Sequence, residues 1–364
     1  MIPVQPYNIF AYISKKNTYK TGKNIKELNY LSWEDAVWDI IKYKNIPKGS
    51  TALIPSFWCG HVVKNLRNHG VICQFYDVDE NFQTSEELLM QRISELNPLI
   101  VVVLHAVGIE NKLITENNNW IKSLPRETIL IEDSVHSVIN PSKLKIRKTN
   151  HFIIDSWRKV MPLQGAAMNG SKSDVDWSEP PLTQSFFYSL SIFLLWIIFQ
   201  LALWAESKNR ENMAKIAKMF GMLAEYFMIK GYDIIGEDDF AAATLPIFVR
   251  YRKRLNYEKI EKIKKSQVEK YESKLSEVFE TNIVQKVSMS EKDKGRLRGF
   301  PIIMNLERAE EMLRNLRKNG LFVRFELNDS PWSKLRKVIY LPLGPQLTTR
   351  DVDKVINIVR STNI

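Results

Sequence analysis

Between about residues 50 and 170, short apolar runs alternate with amphipathic stretches at the spacing of strand, helix, strand. Six runs read as strands: 50–56 (STALIPS), 71–78 (VICQFYDV), 98–108 (PLIVVVLHAVG), 128–134 (TILIEDS), 151–157 (HFIIDSW) and 165–170 (GAAMNG). Several are apolar at nearly every position. That pattern suits strands buried on both faces, and helices between them make a parallel or mixed α/β sheet. In such sheets ligands gather at the carboxyl ends of the strands, so the residues closing each run are the ones to inspect.

Beyond residue 180 the pattern changes twice. No charge appears from Pro180 to Ala205, and an apolar helix is expected over 185–205. About 20 helical residues reach the roughly 30 Å of a bilayer core, so hydropathy alone reads this run as membrane-spanning. Residues 207–290 turn basic and helical. The remainder reads strand (300–306), helix (309–319), strand (321–327), strand (337–343) and a final helix, for which Thr348 or Thr349 is a fitting N-cap. Three parts follow: a large α/β domain over 1–205 that includes the apolar helix, a helical connection over 206–290, and a small α+β domain over 291–364. No internal repeat or low-complexity tract is visible.

With 364 residues and 45% hydrophobic content, the chain is long enough for real cores, which excludes disordered, collagen-like and small disulfide-stapled classes. Cys59 and Cys73 sit in no zinc-ligand spacing and point to a reducing compartment. The amino-terminal residues lack the features of a secretory signal, so a cytoplasmic location is expected. The net charge of +11 would suit an anionic partner. No nucleic-acid-binding motif accompanies it. The basic residues after 205 (Lys208, Arg210, Lys215, Lys218, RYRKR at 250–254, KIKK at 262–265) read first as a solvated helical face, with an anionic lipid surface as the sharper alternative.

Three segments carry candidate chemistry. Lys159 follows a strand and precedes a Pro and a Gly; partial desolvation there can make its amine a nucleophile, although an isolated lysine in such a turn is ordinarily solvated and inert. Asp133 ends an apolar strand with His136 three residues on. A buried carboxylate needs a cationic partner, and a protonated pyridine nitrogen is one; capping the next helix is the other reading. Phe57 and Trp58 lie on a strand-to-helix turn, where an aromatic either packs in the core or lies flat on a planar ligand.

In this order the segments resemble one family, the DegT/DnrJ/EryC1/StrS sugar aminotransferases, pyridoxal-phosphate (PLP) enzymes of the aspartate aminotransferase fold, type I. The IPSF turn with VICQFYDVD, LIEDSVHS, DSWRKVMPLQGAAM, RKRLNYEKI and the closing YLPLGPQLTTRDVDKVINIV match that family's motifs over about residues 30–360. The resemblance implies a mainly parallel, seven-stranded-type sheet and a keto-sugar substrate, nucleotide- or lipid-linked, in cell-surface polysaccharide biosynthesis. It also implies glutamate as amino donor and a homodimer. Lys159 would bind the cofactor covalently and then move the proton. Asp133 would pair with the pyridinium nitrogen, His136 would face the ring or its hydroxyl, Trp58 would stack on it, and Ser156 would bind the phosphate. Asn256 would reach the cofactor phosphate of the neighbouring subunit.

Two departures stand out. Where the family has a glycine-containing phosphate turn, this chain reads LSWEDA: Ser32 and Trp33 remain as donors, and Glu34 and Asp35 would have to point away. The family's Gly-Gly after the lysine is Gly165-Ala166. A noncatalytic or divergent homologue with a structural or regulatory, membrane-associated role is the alternative. Because about 160 residues after the apolar run belong with the α/β domain, a simple crossing would split the site; the run either dips into or lies along one leaflet at the inner face of the membrane, or is buried in the subunit core or the dimer interface.

Overall fold

The computed structural model describes residues 2–3, 6, 8–15, 20–116, 119–183, 241–279 and 284–362, and within the apolar run residues 186, 189–191, 193–194, 197–198 and 200–201. Its centre is a seven-stranded sheet in the order β2-β8-β7-β6-β5-β3-β4. The strands are β2 (Ile25–Tyr30), β3 (Thr51–Pro55), β4 (Ile72–Tyr76), β5 (Ile100–Leu104), β6 (Ile129–Asp133), β7 (His151–Ile154) and β8 (Ala166–Ser171). Strands β4, β3, β5, β6 and β7 run parallel, β8 runs against them, and the edge strand β2, antiparallel to β8, returns to their direction.

All six strands expected between 50 and 170 form. The strand β2 is the one the pattern hides: IKELNY is only half-buried over its first three residues and carries two charges, as an edge strand does. Alternation sorts the buried strands onto two faces. Ala52, Ile54, Ile100, Val102, Leu104, Ile129 and Ile131 join the larger core beneath the helices Trp33–Tyr43 and Gly60–Asn68. Leu53, Val101, Val103 and Leu130 face the other way, against Leu89 and Ile93 of the helix Glu86–Leu96 and against Leu113 and Trp120. In β6, therefore, Asp133 and Glu132 leave opposite faces of the sheet.

The carboxyl-terminal part builds a three-stranded antiparallel sheet, β12-β10-β9, from β9 (Val284–Lys286), β10 (Phe300–Asn305) and β12 (Arg336–Leu341). It packs with the helices Leu306–Lys318 and Thr349–Ser361; Thr348 caps the latter in a capping box with Asp351. The strand expected over 321–327 is only Leu321–Phe322 (β11), which pairs in parallel with Ile2–Pro3 (β1). Beyond it only a single bridge, Phe325 to Ile339 of β12, continues the pairing, because Arg324, Phe325, Glu326 and Leu327 line a cavity, with Leu327 in the left-handed region at φ 44°.

Much of the apolar run lies outside the described residues, including most of Trp196–Trp204. Its described positions are helical. Buried Ser189 donates to the Ala243 carbonyl at 2.8 Å and Phe193 packs edge-on against Phe248, whereas Phe186, Leu194 and Leu201 are exposed. Among the described residues no helix is long and apolar enough to cross a membrane.

The basic stretch after 205 is not uniformly solvated. Lys208, Arg210, Lys215 and Lys218 lie outside the described residues, but Arg252 and Lys264 are both fully buried. Arg252 bridges Glu27 (2.8 Å) and Asp155 (3.1 Å) and lies over the Trp157 ring. Replacing it by Met strands the buried Asp155 and the half-buried Glu27, and Arg252→Met is expected to cost about 3–5 kcal/mol in a denaturant titration.

Candidate active site

A cavity of about 400 Å3 opens at the carboxyl ends of β5, β6 and β7, lined by Trp58, Asp133, His136, Ser156, Arg158 and Lys159 together with residues 324–329. Sequence and packing both place the lysine. Trp157 and Val160, three apart on the short helix Trp157–Val160, sink into a core with Leu255 and Tyr257, and this turns Arg158 and Lys159 toward the cavity. Asp155 ties the same turn down, accepting from the Ala167 N–H (2.7 Å) and from Arg252. Gly165 closes it at φ 139°, where a Cβ would meet the Trp157 ring at 2.6 Å.

Asp133 is buried and ends β6. One carboxylate oxygen accepts from the Trp58 indole N–H at 2.8 Å, the other from the Val135 N–H at 3.1 Å. It forms no salt bridge among the described residues. Burial pushes its carboxyl above the usual carboxylate range, offset only in part by Trp58, the Lys159 charge and Val135.

His136 is held neutral: burial, reinforced by the Lys159 charge, pushes it down to about 3. Its Nδ1 accepts from the Val107 N–H at 3.3 Å, and Val107 reaches that position in the left-handed region at φ 53°, a costly conformation for a β-branched residue. The other nitrogen lies 3.5 Å from Glu326, which is ion-paired with Arg298 and kept ionised despite its burial by that guanidinium.

The start of the helix Trp33–Tyr43 departs from a simple anion cup. Ser32 does not line the cavity: its hydroxyl caps the helix at Asp35 N–H (3.1 Å) and donates to the Asp35 carboxylate (2.6 Å). Asp35 points away, accepting also from the Ala242 N–H, and burial pushes it up to about 7. Glu34 does the opposite and enters the cavity wall, with His61 at 3.7 Å; His61, Arg158 and its own backbone N–H hold it low against the cost of burial. Trp33 lines the cavity edge-on to Trp58 (5.3 Å between centroids), its buried indole N–H without a hydrogen-bond partner. Asn256 lies elsewhere in the fold, capping the helix Tyr257–Lys274 through Lys259 N–H.

The structure thus gathers Lys159, Asp133, His136, Trp58, Ser156 and Trp33, brings in Glu34, which was expected to point away, and adds His61, Arg158, Arg298 and Glu326, which no local sequence pattern marked. Phe57 belongs to the core, against Phe82 and Trp332.

Comparison with solved structures gives one consistent group. Spr1654 of Streptococcus pneumoniae, a sugar aminotransferase candidate in its PLP form, superposes with TM-score 0.61 at 13% identity, over 99% of this chain and 98% of that one. The aminotransferase TlmJ of Streptoalloteichus hindustanus gives 0.59 at 13%, over 93% and 85%. A DegT DnrJ EryC1 StrS aminotransferase of Brucella abortus gives 0.53 at 15%, over 93% and 85%. The fold is that of the type I PLP-dependent aminotransferases. No protein-family model and no curated protein matches the chain.

Within this aminotransferase fold, one buried cation behind the cavity gives a pH signature. Lys264 donates to the Leu297 carbonyl at 2.7 Å, and burial with Arg298 nearby pushes its amine down to about 7. Between that value and the ordinary pKa of about 10.4, the unfolded chain binds a proton that the folded chain has lost, so stability rises with pH. Wild type should therefore gain on Lys264→Met by roughly 1 kcal/mol per pH unit across this window. Urea midpoints at pH 7.5 and 9 check it.

Proposed function

We propose that the chain is a PLP-dependent aminotransferase acting on a keto-sugar, with an amino acid such as glutamate as donor. The observation that carries this reading is the meeting of Asp133 and Lys159 in one cavity: a buried carboxylate lacking a salt bridge beside an amine. The likeness in fold to proteins described as aminotransferases supports it.

The residues present fit the cofactor at its ring end. A pyridinium N–H supplies the cation that Asp133 lacks, Trp58 offers a flat neighbour, and Lys159 offers the amine for an aldehyde. At the phosphate end the donors are the Ser156 hydroxyl, the Arg158 guanidinium and the Trp33 indole N–H, with Glu34 as a built-in opposing charge. When bound, PLP supplies an electron sink for charge developing at a substrate carbon.

This chain's residues do the rest. Asp133 keeps the ring-nitrogen proton in place. Lys159 would serve as the acid–base group that moves a proton between the substrate carbon and the cofactor carbon, in one direction with the amino donor and in the other with the keto-sugar. His136, neutral, fixes the floor beside the ring without adding charge. Arg158, Arg298 and Arg324 give the mouth a cationic lining that suits a donor carboxylate or the phosphate of a nucleotide- or lipid-linked sugar. The test is a visible absorbance band on adding PLP that borohydride traps on Lys159, followed by amino transfer to keto-sugars; absence of both overturns the reading.

Glu34 favours a second reading, a divergent homologue that binds PLP weakly or not at all. Glu34→Gln separates the two: restored PLP binding in the variant alone assigns wild type to this second class.

A homodimer and a peripheral place on the inner face of the membrane, within cell-surface polysaccharide synthesis, complete the proposal. The exposed Phe186, Leu194 and Leu201 supply an apolar surface for either contact. Recovery of the full chain as a detergent-free soluble dimer would reject the membrane placement.

A further inference from the structure

We infer that the opposite face of the sheet carries a second ligand site, a pocket for a small polyanion. A cavity of about 380 Å3 lies there, at the carboxyl end of β6 on the side that Glu132 faces. Its floor is built from buried groups. Glu132 accepts from the Nε2–H of His105 (2.9 Å) and faces that of His151 (3.2 Å), because each imidazole uses Nδ1 to accept a backbone N–H, from Asn111 and from Arg147. Arg147 adds a guanidinium at 3.2 Å. Glu132 is thereby held well below the usual carboxylate range, and its charge is spent internally.

Glu110, the other carboxylate of the wall, is likewise spent on Lys292 (2.8 Å) and Arg296. Two anions thus stand against five cations, the further two being Lys143 and Lys145 at the rim, of which Lys143 lies 3.6 Å from Glu261 outside the pocket, so the surplus is carried by Lys145 and the remaining inner cations. Lys145 is exposed and has no carboxylate partner among the described residues. The buried Ser137 hydroxyl lines the same cavity without a hydrogen-bond partner. A concave space with surplus cations outside and an unused hydroxyl within is what a multiply charged phosphate or carboxylate ligand requires.

The pocket backs onto the first cavity through a thin wall. Leu104, His136 and Arg298 line one side, and their near neighbours His105, Ser137 and Arg296 line the other. The Ser137–Leu297 bridge closes the wall, and Gly108 packs so tightly on it that a Cβ would meet Leu297 Cα at 2.6 Å. This inference stands independently of the aminotransferase reading.

The experiment is calorimetric titration of the full-length protein with inorganic pyrophosphate and, separately, with citrate. Saturable one-site binding is expected, weakened at least tenfold in the Lys145→Glu/Lys292→Glu variant, weakened less in Ser137→Ala, and unchanged in Arg158→Gln, which alters the first cavity. Preference for pyrophosphate assigns a phosphate ligand and preference for citrate a polycarboxylate; either supports the pocket. No saturable binding of either probe, or loss through Arg158→Gln with the rim variant unaffected, overturns it. The rim lysines are exposed, and a circular-dichroism melt verifies that the double variant is folded.

Discussion

Lys159→Ala is expected to abolish borohydride-trapped PLP and to lower amino transfer by a factor on the order of 10⁴ or more, since one group both attaches the cofactor and moves the proton. Stability should change little, within about 1 kcal/mol, because Lys159 is half-buried while the anchors of its turn, Trp157, Val160 and the Asp155–Arg252 pair, are untouched. Mass spectrometry of the reduced protein and a thermal melt read the two halves separately. Amino transfer surviving in the variant would end the assignment of Lys159. An unfolded variant would mean that the turn depends on the lysine itself.

Asp133→Asn separates charge from shape. The amide oxygen still accepts one hydrogen bond in place of the carboxylate, but the ring nitrogen loses its counter-charge, and turnover should fall by about two to four orders of magnitude. Stability without ligand should hold or rise, because a buried charge is removed. The raised carboxyl adds a sign: folded protein keeps a proton that the unfolded chain releases, so wild-type stability declines as pH rises through the window just above 3.9. The Asn variant should lack that decline. Unchanged turnover would leave Asp133 as a structural group that orders Trp58 and Val135.

The central sheet was legible because strands buried on both faces need no partner to be recognised: Ile100–Leu104 is apolar throughout, and Ile129–Asp133 is apolar until its last two residues. Asp133 was legible because it closes such a run, and Lys159 because it stands on the turn just after one. Ile25–Tyr30 was hidden because a half-buried edge strand tolerates charges that break the alternation. The residues missed in the cavity share a cause. Glu326 acts through Arg298 and His136, and His61 through Glu34, while Glu34, expected to point away, is drawn in by His61 and Arg158; outside the cavity Arg252 acts through Glu27 and Asp155, and each depends on a partner distant in sequence. A basic run such as RYRKR gives no sign of which guanidinium is drawn inward.

The pairing of Ile2–Pro3 with Leu321–Phe322 sets an order of assembly. A nascent chain leaves the ribosome amino end first at ~5–20 residues per second, so β1 waits some tens of seconds before its partner strand exists. Ile2–Pro3 can therefore dock only after every strand of the central sheet has been synthesised. The same holds for Tyr12, whose hydroxyl contacts Gln346. A protein truncated before residue 321 would retain every strand of the central sheet and leave Ile2–Pro3 without a partner strand.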